Sequence, residues 1–141
     1  MEDLRYKILL VVQLCAAAGL LTLIIFLPGE WNLQRWAGLA IAVPAVVLLF
    51  VARFQLGRSF AVRAQAHELV THGIYSKIRN PIYVFSAFLI LALALTLQRP
   101  FILIFLVVVI PVQIIRARKE AAVLEAKFGD EYRRYREQTW F

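Results

Sequence analysis

Cysteine, histidine and acidic side chains are all scarce in this chain, and long stretches carry no charge at all. The single cysteine, Cys15, excludes an internal disulfide, and its position inside an apolar run makes it a packing residue rather than a reactive thiol. No repeat, low-complexity tract or flexible linker interrupts the sequence, so residues 1–141 are read as a single domain. Between Ile8 and Leu27 there is no charged residue, and such a run is long enough to cross a hydrocarbon core of about 30 Å.

The apolar content is correspondingly high, 62% of residues with a mean hydropathy of +0.72. A soluble domain of this size sits nearer half apolar, so the excess must face something other than water. It comes in four blocks, at about 8–27, 36–53, 81–97 and 101–115. Lipid cannot satisfy exposed backbone polar groups, so all four are expected to be helices. Only Gln98-Arg99-Pro100 separates the last two, which read as a helical hairpin. The expected fold is an all-α integral membrane protein with about four transmembrane helices, a loop at 55–80 and a helical tail at 116–141. Cys15-Ala16-Ala17-Ala18-Gly19 resembles a signal cleavage site, but the block is longer than a usual signal core and reads as a retained helix.

Charge sets the expected topology. Fourteen Lys or Arg residues fall in the N-terminal head, the 55–80 loop with its flanking Arg53, and the tail, whereas the other two connections hold only Arg35 and Arg99. The positive-inside rule then places both termini and the loop in the cytoplasm, in a multi-pass protein expected in a bacterial plasma membrane. The net charge of +7 is a topology signal and an attraction to anionic lipid headgroups. Nucleic acid is not an expected partner, because no soluble basic domain exists to carry it. No metal ion is expected either.

Any polar ligand must be handled by the loop and the tail. Asn80 is a favoured N-cap and Pro81 suits the first helical position, so the third helix should begin sharply at the membrane face. Its exposed N–H groups, beside Lys77 and Arg79, would attract a carboxylate or phosphate, although a capped helix with basic anchors is the plainer reading. The fourth helix should continue past the membrane to Gly129, a left-handed cap, with a kink at Pro111. Arg116 and Glu120 stand one turn apart on one face, and a solvated ion pair accounts for that spacing equally well. Phe128, Tyr132 and Tyr135 form an i, i+4, i+7 stripe at a short helix expected on the membrane surface, more in keeping with packing or interfacial anchoring than with ligand binding.

Two segments together resemble a known family. His67-Glu68-Leu69-Val70-Thr71-His72-Gly73-Ile74-Tyr75, followed by Arg79-Asn80-Pro81-Ile82-Tyr83, is similar to the signature of the isoprenylcysteine carboxyl methyltransferases. Arg116, Glu120, Leu124, Phe128, Gly129, Tyr132 and Tyr135 resemble that family's second block, and the related phospholipid methyltransferases share the layout. The resemblance covers Leu56 to about Arg136. It implies an S-adenosylmethionine-dependent methyltransferase, with a cofactor site made by His67, Glu68, Leu69, Val70, Tyr75, Asn80, Pro81, Ile82, Tyr83 and Glu120. It places Arg116 at the reacting end of the substrate, so Arg116 and Glu120 are the candidate catalytic residues. Asn80 stands where the prenylcysteine enzymes have His, and Ala121 replaces the second Glu of the usual pair. Asn cannot titrate near neutrality, which argues against proton transfer there.

The expected reaction is methyl transfer to a lipid-like or small acceptor entering from the bilayer, with a carboxylate ahead of a phospholipid amine. An amine must lose a proton, and Glu120 and His67 are poor bases for that step. An NADPH-dependent lipid or sterol reductase and a non-catalytic membrane protein are the alternatives from other classes.

Overall fold

The computed structural model of the chain describes residues 2–57 and 69–141. Arg58, Arg63, His67 and Glu68, to which the sequence gives topological or cofactor roles, lie outside the described residues. The described part is built of helices: α1 (Glu2–Phe26), α2 (Leu33–Leu56), α3 (Pro81–Thr96), α4 (Ile104–Phe128) and α5 (Asp130–Gln138), with tight 3-10 turns at Gly73–Ser76 and Pro100–Leu103.

Each of the four apolar blocks is a helix, with boundaries that local chemistry moves. α1 takes in the charged head from Glu2. α2 begins earlier than its apolar block because Asn32 caps it, its side-chain oxygen accepting the Arg35 N–H at 3.0 Å. α4 starts late because Pro100–Leu103 winds as a tighter turn. By length and composition, Leu33–Leu56 and the continuous Pro100–Phe128 segment can each cross a membrane, whereas α3 has only 16 residues. Pro44 and Pro111 both lie inside helices.

α3 packs far more closely on α2 than on α4. α2 carries a stripe of small buried residues, Gly38, Ala42 and Ala45, and Gly38 lies directly against Thr96 of α3. Small side chains let two helix backbones approach closely, which is how helices associate without a hydrophobic driving force between them. α4 buries none of its residues, and Phe105, Val107 and Val108 are exposed, as suits a surface solvated by lipid.

At the other end of α2, Ala52 and Leu56 bury Tyr75 of the first 3-10 turn, with Val70, Ile74 and Ile82 packed around them. Gln55 fixes that turn: its Oε1 accepts the Ile74 N–H at 2.8 Å. Gly73 has φ +61, a conformation that favours glycine, and a Cβ there would displace the Gln55 amide that holds Ile74.

α4 ends at Gly129 as expected, but with φ +54 and ψ −121 the glycine lies outside the left-handed helical region of the expected cap, and its N–H makes a last helical bond to the Glu125 carbonyl at 2.9 Å. Beyond the apolar part of α4, Glu125 bridges to α5 by accepting from Arg133 at 2.8 Å and Arg136 at 3.2 Å. The Arg133 guanidinium, and then Arg136, hold the Glu125 carboxyl below the usual carboxylate range. A carboxylate with a lowered folded value contributes stability above its unfolded value near 4.5, and that contribution disappears as pH falls through the folded value. The bridge is exposed, so its contribution is small and screened by salt. Thermal midpoints of the wild type and Glu125→Gln should therefore differ at pH 6 in low salt and converge as the pH is lowered through the folded value. A difference that does not shrink with acidification contradicts this role.

Candidate functional site

Several of the chemistry-bearing residues named by the sequence lie where α3 begins. Pro81 is fully buried as its first residue, as expected of proline at that position. Asn80 precedes it, but with ψ 57 it lies outside the extended region that a capping side chain uses, and its side chain makes no capping bond. The expectation that the Asn80 side chain caps α3 is therefore corrected. Its carbonyl accepts the Tyr83 and Val84 N–H groups at 3.1 and 3.2 Å, while the half-buried carboxamide has no partner among the described residues.

One turn into α3, the Tyr83 hydroxyl donates to Glu120 Oε1 at 2.6 Å. This bond joins two motifs 37 residues apart. Glu120 is half-buried on the part of α4 that lies beyond its apolar stretch. Arg116, one turn before it, is exposed, and no ion pair joins the two among the described residues. The spacing allowed such a pair, but the described partner of the carboxylate is the Tyr83 hydroxyl.

Below this contact the polar seam continues. Gln113 of α4 donates through Nε2 to Ser86 Oγ at 2.7 Å, and the Ser86 hydroxyl donates to the Tyr83 carbonyl at 2.9 Å. Gln113 and Ser86 carry no functional signal singly, because one polar residue within an apolar run is ordinary. The available signal was that both lie on the sides of α3 and α4 that carry Tyr83 and Glu120.

A backbone clasp holds the entry to α3. Trp140 N–H donates to the Lys77 carbonyl at 2.7 Å, Arg79 N–H to the Trp140 carbonyl at 3.1 Å and Asn80 N–H to the Phe141 carbonyl at 3.0 Å. The Ile78–Trp140 pairing runs parallel. Tyr135 is 8% exposed and donates its hydroxyl to the Tyr75 carbonyl at 2.7 Å, while Tyr132 is 3% exposed beside it. The aromatic stripe of α5 thus packs inward onto the 3-10 turn, as its packing reading required. Leu69 and Val70 are half-buried, and Val70 and Ile82 lie against the Tyr75 cluster. Of the sequence-derived set, the described structure brings together Tyr75, Pro81, Ile82, Tyr83 and Glu120 with Asn80 beside them, and leaves Arg116 at the margin. No group of three His, Cys, Asp or Glu side chains capable of holding a metal occurs among the described residues.

The described residues are built of helices, two of them of membrane-crossing length, the pattern of a helical membrane protein. Residues 33–131 match the family model described as phospholipid methyltransferase, and the chain belongs to that family. The family is part of the isoprenylcysteine carboxyl methyltransferase-like group of integral membrane methyltransferases. Comparison with curated proteins and with solved structures returned no match.

Proposed function

We propose that this protein transfers a methyl group from S-adenosylmethionine to a lipid-like acceptor that enters from the bilayer, at a site where α3 begins, in a multi-pass arrangement with both termini in the cytoplasm. The observation that carries this reading is the 2.6 Å Tyr83–Glu120 hydrogen bond, which sets a carboxylate against the α3 start. The residues there fit the amino-acid end of the cofactor. A carboxylate suits the positive end of α3 and the unpartnered Asn80 amide, and an ammonium suits Glu120. When bound, S-adenosylmethionine supplies a sulfonium methyl that an ionised carboxylate can attack without prior deprotonation.

The protein's part is then alignment and exclusion of water. Holding the two reactants in line can supply roughly 7–11 kcal/mol of barrier reduction. Arg116, exposed and close to Glu120 along α4, is placed to hold an acceptor carboxylate through its forked donors. Tyr83, by occupying one Glu120 oxygen, orients that carboxylate. A carboxylate acceptor remains the preferred reading because an amine must lose a proton, and Glu120, the nearest described base, already accepts from Tyr83. The second reading, a phospholipid amine, is favoured by the family description itself.

Transfer of labelled methyl groups into lipid extracts tests both. Base-labile label in the product identifies a carboxyl ester, and base-stable label in the headgroup identifies an amine. Arg116→Ala is expected to lower turnover about 10- to 100-fold, the loss of a charge-assisted hydrogen-bonding pair, and to leave cofactor affinity unchanged. Turnover that survives the substitution removes Arg116 from the site, and cofactor binding with no transfer to any extract favours a non-catalytic role.

A further inference from the structure

The end of the bundle remote from Tyr83 and Glu120 holds a second polar constellation that methyl transfer does not use. Arg35, in the first turn of α2, is only 2% exposed. Its Nη2 donates to the carbonyls of Ile24 at 2.6 Å and Leu27 at 2.8 Å, and its guanidinium lies 4.4 Å from the centre of the Trp31 ring. These contacts tie the end of α1 to α2 but do not neutralise the charge. None of the partners is a carboxylate, and the buried Nε has no hydrogen-bond partner. A buried cation without a counter-charge is costly, and an anion relieves that cost.

A cavity of about 470 Å³ adjoins this arginine, lined by Gly29, Arg35, Thr96, Gln98 and Arg99 among others. Its walls are preformed. Gln98, held at φ +54, donates from Nε2 to the Glu30 carbonyl at 2.9 Å and to Asn32 Oδ1 at 3.2 Å, which fixes the α1–α2 and α3–α4 turns to each other. Arg99 is exposed and adds a second positive charge. Glu30 is the acidic residue of these turns, and no ion pair joins it to Arg35 or Arg99 among the described residues.

We propose that this cavity binds a phosphate-class oxyanion, carried on a phospholipid headgroup or free in solution, with Arg35 as the buried cation and Arg99 as its exposed partner. Guanidinium groups match phosphate oxygens in a forked geometry, and two of them line one cavity here. Thr96 at this cavity lies 13 residues along α3 from Tyr83, about 20 Å away, so an oxyanion bound here is not the methyl acceptor. The site stands independently of the methyltransferase reading.

The test follows thermal unfolding of the full detergent-solubilised chain with inorganic phosphate, short-chain phosphatidylglycerol and, as a phosphate-free control, short-chain diacylglycerol. Arg35 also ties down α1, so Arg99→Gln, at an exposed position, is the variant of choice. Phosphatidylglycerol is expected to raise the wild-type midpoint, diacylglycerol is not, and Arg99→Gln should bind the phosphate compound about tenfold more weakly. Stabilisation by inorganic phosphate as well supports the site and makes a free ion its ligand, while stabilisation by the lipid alone supports the site as a headgroup pocket. Equal stabilisation of wild type and Arg99→Gln, or none by either phosphate compound, overturns the proposal.

Discussion

Glu120→Ala is expected to weaken S-adenosylmethionine binding by about 10- to 100-fold, the equivalent of one hydrogen-bonded charge at roughly 1.5–3 kcal/mol. The carboxylate is half-buried and already oriented by the Tyr83 hydroxyl at 2.6 Å, so little ordering is left to be done when a cationic group approaches. Its removal leaves the Tyr83 hydroxyl to turn to water or ligand, and α4 keeps its helix because alanine is the best helix former. The helical content of the solubilised variant should match the wild type while the calorimetric affinity falls. Glu120→Gln, which keeps a hydrogen-bond acceptor for Tyr83 but loses the charge, should show most of the same loss. Unchanged affinity in both variants would remove Glu120 from the cofactor site.

Gly38→Leu is expected to have the largest effect on stability, about 3 kcal/mol or more. A Cβ at position 38 would lie 2.6 Å from the Thr96 backbone nitrogen and 2.9 Å from its Cα, and backbone atoms cannot step aside as a side-chain tip can. Overpacking an ordinary core costs about 1–3 kcal/mol, and this position has a helix backbone as its neighbour. The substitution must push α2 from α3 along the stripe formed by Gly38, Ala42 and Ala45. The Arg35–Gln98 end of the bundle should loosen with it. Unfolding of the detergent-solubilised variant, followed by loss of helical signal, measures the change. A midpoint equal to wild type would contradict the close α2–α3 packing.

Features encoded over a few residues were legible in the sequence. The apolar blocks had to be helices because lipid offers the backbone no partner. Asn80-Pro81 marked the start of α3, Gly129 marked the end of α4, and the spacing of Tyr132 and Tyr135 marked the buried face of α5. The Arg116 and Glu120 spacing singled out this carboxylate but not its Tyr83 partner, which comes to it from another helix. Contacts made by distant segments were not legible. The clasp between Lys77–Asn80 and Trp140–Phe141 uses backbone atoms that any residue carries, so no side-chain pattern announces it. The occupation of the Asn80 N–H by that clasp, with ψ 57 at the same residue, accompanies the absence of the expected side-chain cap. Gln113 and Ser86 are visible as a pair only once α3 and α4 are set side by side. Arg35 looked like a residue of an outer connection, and its burial depends on α1 ending against it.

Calorimetric titration of the detergent-solubilised protein with S-adenosylmethionine and, separately, with NADPH tests the account most directly. A cofactor site built from Asn80, Tyr83 and Glu120 predicts saturable binding of S-adenosylmethionine and none of NADPH. Binding of NADPH without S-adenosylmethionine would contradict it.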